Sequence, residues 1–152
     1  MKSSNLVIKI KKDLKPFKSK VNCHNKDKNE NIDPIHLIMS KYNKDNFNEI
    51  MSLSPEEIDG EIDEGKLNEF KESIEYYFQL HAPDDGDFKE FILAISTYLS
   101  FIAKKPLHPP GIIFSDGNRV FKKQDKYYCT GKNVFIQETY SLCRYCICKQ
   151  TQ

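Results

Sequence analysis

The stretch Asp87-Phe88-Lys89-Glu90-Phe91-Ile92-Leu93-Ala94-Ile95-Ser96-Thr97-Tyr98-Leu99-Ser100-Phe101-Ile102-Ala103-Lys104-Lys105 decides the fold. Asp87 is a helix-capping residue type. Phe91, Ile92, Ile95, Leu99 and Ile102 recur at three- and four-residue spacing, and Leu93, Tyr98 and Phe101 fill further faces. A helix over 88–104 that is apolar on most sides belongs in the middle of a core. Lys104 and Lys105 complement the negative end of its dipole, and Pro106 stops it.

Upstream of that helix the pattern is helical throughout. Ser3 or Ser4 is expected to cap a first helix striped by Val7, Ile10, Leu14 and Phe17 and interrupted near Pro16. The segment 22–31, which contains Cys23 and His24, is polar and aperiodic and reads as a linker. Asp33-Pro34 is a cap followed by a first-turn proline, and Ile35, Ile38, Met39 and Tyr42 follow at helical spacing. Phe47, Ile50 and Met51 repeat that spacing, so the helix continues or restarts after 43–46. Ser54-Pro55-Glu56-Glu57 predicts another start, with breaks around Gly60 and Gly65 before Leu67, Phe70, Ile74, Tyr77 and Phe78. A turn over 81–86 then leads into the core helix.

Downstream the character changes. Pro106-Leu107-His108-Pro109-Pro110-Gly111 cannot be helix, and 119–123 with 126–129 predicts a two-stranded hairpin around Gln124-Asp125. Cys129 ends the hairpin, Thr130-Gly131-Lys132 turns, and Cys143-Arg144-Tyr145-Cys146-Ile147-Cys148 follows. The expected fold is mainly α: one domain over 1–152, with a helical bundle at 1–105 and a small C-terminal β-hairpin and metal-binding knuckle at 106–152. A chain of this length buries one core without covalent staples.

Charge is organised in blocks. Residues 1–31 carry +6, 32–90 carry −11 and 91–152 carry +6, although the total is only +1. Either the blocks fold against one another or a basic face meets an anionic partner. The apolar run at the N-terminus is broken by Lys9, and the longest apolar stretch, 91–103, falls short of the roughly 18–20 residues that span a bilayer. The expectation is a cytoplasmic protein with no membrane partner.

In a reducing compartment, four cysteines within 20 positions point to metal ligation rather than disulfides. A Cys-x-x-Cys pair such as Cys143 and Cys146 can aim both sulfurs at one ion, and Cys129 after a hairpin resembles half of a zinc ribbon. The fourth ligand is either Cys148, two residues past the pair, or His108 in its rigid Leu-His-Pro-Pro frame. Zinc suits four such ligands, and an iron-sulfur cluster uses the same ones. A thioredoxin-like redox site needs a helix after the pair, and none is expected. No phosphate loop, Ser-His-Asp arrangement or HExxH motif is present.

The segments Ala103-Lys104-Lys105-Pro106-Leu107-His108-Pro109, Tyr127-Tyr128-Cys129 and Leu142-Cys143-Arg144-Tyr145-Cys146 resemble an uncharacterised family from methanogenic archaea, a domain of unknown function. The resemblance covers about the last 50 residues and implies an archaeal cytosolic setting and no particular reaction. It supports Cys129, Cys143, Cys146 and His108 as shared polar positions and marks Cys148 as a feature of this chain.

Three functions fit these observations. The first is a binding module closed by a structural metal. The second is nucleic-acid binding through Arg119, Lys122, Lys123, Lys126, Lys132, Arg144 and Lys149, interleaved with Phe121, Tyr127, Tyr128 and Tyr145. The third is an enzyme with an open metal coordination position and His108 as acid or base.

Overall fold

The computed structural model describes residues 1–23, 33–138 and 140–151. His24 and most of the polar segment 22–31 lie outside the described residues, whereas Cys23 closes a helix. The helices are α1 (Ser3–Leu14), α2 (Lys18–Cys23), α3 (Pro34–Ser52), α4 (Glu64–His81), α5 (Gly86–Thr97) and a short α6 (Lys132–Phe135). The strands are β1 (Val120–Lys123), β2 (Lys126–Cys129) and β3 (Lys149–Gln150).

The apolar segment forms the centre, as its pattern predicts. Ala94, Ile95, Tyr98 and Leu99 meet Leu6, Ile10 and Leu14 of α1 and Phe47 and Ile50 of α3. Its cap is Asp85 rather than Asp87. The Asp85 carboxylate accepts from the Phe88 N–H at 3.3 Å, and Asp87 lies in the first turn, where its charge still suits the dipole. Beyond Thr97 the helix widens into a π-helical stretch, Tyr98–Ala103, that Lys104 ends at φ 55°. The N–H of Lys105 returns to the Leu99 carbonyl at 3.0 Å, satisfying a helix-end acceptor before Pro106 leads the chain away.

Elsewhere the starts differ from the sequence pattern for identifiable reasons. Ser3 and Ser4 do not cap α1, because the Ser3 N–H donates to the Gly60 carbonyl at 3.0 Å and Ser3 is buried inside the first turn. Gly60 holds φ +111°, a left-handed conformation that favours glycine. Ser54-Pro55 starts only one 3-10 turn, Pro55–Glu57. The following residues are held extended, with the Ile62 N–H donating to the Met1 carbonyl at 2.7 Å. Helix α4 therefore begins at Glu64, capped by Asp63, which accepts from the Lys66 N–H at 3.2 Å. The break near Pro16 is present as a 3-10 turn, Lys15–Phe17.

Helix α3 is continuous through 43–46. Asn46 is buried there, and its amide donates to the Tyr42 carbonyl at 2.9 Å instead of breaking the helix. Only its second half enters the bundle core. Leu37 and Ile38 are exposed, while Ile35 and Met39 pack on a C-terminal cluster of Ile112, Val120 and Cys148.

The hairpin has the expected register, Val120 opposite Cys129 and Lys123 opposite Lys126. Gln124 and Asp125 take φ 51° and 66°, the two-residue turn whose twist matches antiparallel strands. β3 adds in parallel to β2, an element with no signal in a two-residue strand. The sheet region is tied to the bundle at both ends. The Tyr42 hydroxyl donates to the Pro106 carbonyl at 2.6 Å, and the Tyr145 ring sits edge-on to Phe70 at 5.2 Å. The protein is thus mainly helical with a small C-terminal three-stranded sheet.

Some of the charge asymmetry closes on itself. Lys105 pairs with Glu49 at 2.6 Å and the exposed Lys20 with Asp87 at 3.4 Å. Among the described residues no helix is long and apolar enough to cross a membrane.

Candidate metal centre

Strand parity turns Cys129 toward the interior. Side chains alternate along a strand, and Val120, the partner of Cys129, is fully buried, so Cys129 faces inward. Cys129 in turn pairs with Gln150 of β3. Two residues before Gln150 lies Cys148, only 2% exposed, and two before that lies Cys146; Ile147 between them is 40% exposed. The chain bends at Ile147 just before β3, and Cys146 and Cys148 on either side of it both line the same cavity. Cys143 comes from a 3-10 turn, Leu142–Arg144, anchored by the Ser141 hydroxyl, which accepts from the Cys143 N–H at 3.1 Å.

Cys129, Cys143, Cys146, Cys148 and His108 line a single cavity of about 180 Å³, floored by Ile92, Ser96 and Leu99 of the core helix. All four thiols are free. Among the described residues, no three His, Cys, Asp or Glu side chains converge closely enough to hold a metal ion. The residues expected in the knuckle share a wall but are not drawn into a coordination sphere.

The electrostatics of the cavity are uneven. The Cys146 thiol is lowered to about 6, first by hydrogen bonding from the Cys148 thiol, against a burial penalty, and then by backbone N–H groups. One of these is the Leu107 N–H, 3.5 Å from the sulfur. Cys148 is pushed up correspondingly, because it keeps the shared proton. Burial raises Cys143. It also lowers the His108 imidazole, whose ring stands edge-on to Phe114 at 5.0 Å, so the ring is neutral near pH 7.

Sequence reasoning missed the role of Lys132. It is 8% exposed, and its ammonium donates to the carbonyls of Cys146 and Cys148, each at 2.7 Å. Among the described residues it pairs with no carboxylate. A buried cation is costly without a compensating anion. Its sequence context, a Thr-Gly-Lys turn, carries no sign of burial.

Of the other basic and aromatic residues read together in the sequence, several are occupied inside the fold. Tyr145 packs on Phe70, the Arg144 guanidinium donates to the Ile136 carbonyl at 3.3 Å, and Tyr127 packs against the C-terminal cluster.

These features define a small, mainly helical protein with a cysteine-lined cavity where a three-stranded sheet meets the bundle. The chain belongs to the DUF2115 family, described as an uncharacterized protein conserved in archaea, whose model matches residues 5–151. It is similar to UPF0305 proteins of methanogens. With that of Methanocaldococcus jannaschii it is 46% identical over 112 residues, 73% of this chain and 68% of the relative. With that of Methanococcus maripaludis strain C6 it is 34% identical over 102 residues, 66% of this chain and 62% of the relative, so the match spans less than two thirds of that protein. With that of Methanopyrus kandleri it is 29% identical over 109 residues, 68% of this chain and 72% of the relative. No solved structure matches the chain.

Proposed function

We propose that the C-terminal region is a zinc-binding knuckle that fixes the sheet against the helical bundle, making the protein a binding module with a structural metal. The observation that carries this reading is the meeting of four free thiols and a buried, carboxylate-free lysine around one cavity. A tetrathiolate zinc centre carries a net charge of −2, so a buried ammonium beside it is compensated rather than stranded. Drawing the sulfurs from the cavity wall onto an ion also ties three separate pieces of chain together, and that closure adds directly to folding free energy.

Cys148 is the better fourth ligand. It follows Cys146 on the same inward face and is 2% exposed, whereas His108 packs edge-on against Phe114. His108 in its neutral form is the substitute ligand. An iron-sulfur cluster is the competing occupant of the same sulfurs.

Cobalt substitution tests the assignment. The protein treated with reductant and chelator, then titrated with Co²⁺, is expected to show thiolate-to-metal charge transfer and a tetrahedral visible spectrum saturating at one equivalent. Cys148→Ala weakens that spectrum and His108→Ala leaves it intact. The reverse pattern assigns the fourth position to His108, and no charge transfer in the wild-type protein sinks the proposal.

A further inference from the structure

The hairpin register sorts the basic residues of the C-terminal region into two groups. Val120, Tyr127 and Cys129 face inward, so Arg119, Phe121 and Lys123 on one strand and Lys126 and Tyr128 on the other share the outer face. Lys149 joins them, since it pairs directly with Tyr128 across β2 and β3. Phe121 and Tyr128 are cross-strand partners with nearly parallel rings, 5.4 Å between centroids and 17° between planes. The Arg119 guanidinium lies over Phe121 at 4.8 Å.

Four cations thus surround two stacked, half-buried rings on one small sheet face. Among the described residues none of the four is in an ion pair. Lys123 and Lys126 stand directly opposite each other, a placement that destabilises a hairpin unless an anion lies between them. The only carboxylate in 119–129 is Asp125, at the turn.

We propose that this outer face binds single-stranded nucleic acid, with the lysines and Arg119 on phosphates and the Phe121–Tyr128 pair stacked against bases. Stacking and charge are the two components of sequence-tolerant single-strand binding. A duplex hides its base faces and offers the rings nothing to stack on. A purely anionic partner, such as a lipid surface or the acidic residues of a second copy, uses the lysines but leaves the aromatic pair without a role. This surface lies on the opposite side of β2 from the cysteine cavity, and its test is independent of the metal assignment.

The test is fluorescence anisotropy of a labelled 12-nucleotide oligouridylate with the 152-residue chain as purified, over a salt series starting near 50 mM. Saturable binding that weakens with salt is expected. Lys123→Ala with Lys126→Ala reduces the magnitude of the log–log salt slope by about 1.4, at roughly 0.7 per phosphate on a single strand. Phe121→Ala and Tyr128→Ala each weaken binding by about tenfold at constant salt slope. Tyr128→Phe, which keeps the ring, binds as wild type, and a thermal melt of each variant separates loss of the surface from loss of the fold.

The proposal is overturned by no saturable binding at 50 mM salt, by binding insensitive to removal of both rings, or by competition from inorganic polyphosphate or duplex RNA equal to that from the unlabelled oligomer. Salt-sensitive self-association without oligonucleotide binding assigns the face to a second copy and likewise overturns it.

Discussion

The ammonium of Lys132 lies 2.7 Å from the carbonyl oxygen of Cys148, in the interior and beside the cysteine cavity. The same group donates to the Cys146 carbonyl, so one buried side chain fixes the backbone on both sides of Ile147 and sets the direction in which the two sulfurs point. Lys132→Met keeps the aliphatic stem but strips two buried carbonyls of their donor. A loss of about 1–3 kcal/mol is expected from the unsatisfied acceptors. The expected readouts are a lower denaturation midpoint in urea and weaker metal retention during chelator challenge. Lys132→Arg is expected to recover part of both.

The acid limb of stability depends on Glu49. Burial opposes its ionisation, but hydrogen bonds from Lys105 at 2.6 Å and from the Tyr98 hydroxyl at 2.6 Å outweigh that, and its carboxyl is lowered from 4.5. A depressed carboxylate contributes stability that is complete above its unfolded value and is lost as pH falls through its folded one. Glu49→Gln is therefore expected to lower stability near neutral pH and to flatten its decline below pH 4.5. A pair of partly exposed side chains gives a modest effect. Urea melts of both proteins across that range check it; identical acid limbs contradict the assignment.

Two aspartates before the core helix distinguish a cap from a neighbour. Asp85→Ala removes the acceptor for the Phe88 N–H and is expected to cost about 1 kcal/mol. Asp87→Ala removes only a first-turn charge and an exposed ion pair with Lys20, and stays within about 0.5 kcal/mol of wild type. Equal losses in chemical denaturation contradict the placement of the cap.

Phe70 links the helices to the C-terminal region. It is fully buried, touches Phe101 edge-on at 5.3 Å and carries Tyr145 at 5.2 Å. Phe70→Ala is expected to cost about 3–5 kcal/mol. The accompanying rise in thiol reactivity at Cys143 and Cys146, read by alkylation and mass spectrometry, reports loosening of the segment that Tyr145 anchors. Destabilisation with unchanged thiol reactivity contradicts that coupling.

The core helix and the hairpin were legible because each is written in local pattern. Residues 88–104 repeat at helical spacing, and a two-residue turn separates alternating strands at 124–125. The uncapped start of α1 and the late start of α4 were not legible, because distant backbone groups decide them, whereas the cap at Asp85 is a local hydrogen bond two residues ahead of the expected one. The Gly60 carbonyl replaces a serine cap at α1, and the Met1 carbonyl holds Ile62 extended. At the site, the clustering of the cysteines was visible as composition; that Cys129, Cys143, Cys146, Cys148 and His108 share one cavity depends on how a strand, a 3-10 turn and two loops pack together. Burial of Lys132 and the two-residue β3 arise only from tertiary packing, for which no periodicity exists.

Elemental analysis of protein purified without oxygen and without added metal, read with its absorption spectrum, tests the metal assignment most directly. One zinc per chain in a colourless protein is the predicted result. A brown protein containing iron and inorganic sulfide, or a folded protein with no bound metal and all five of its thiols titrating freely, contradicts it.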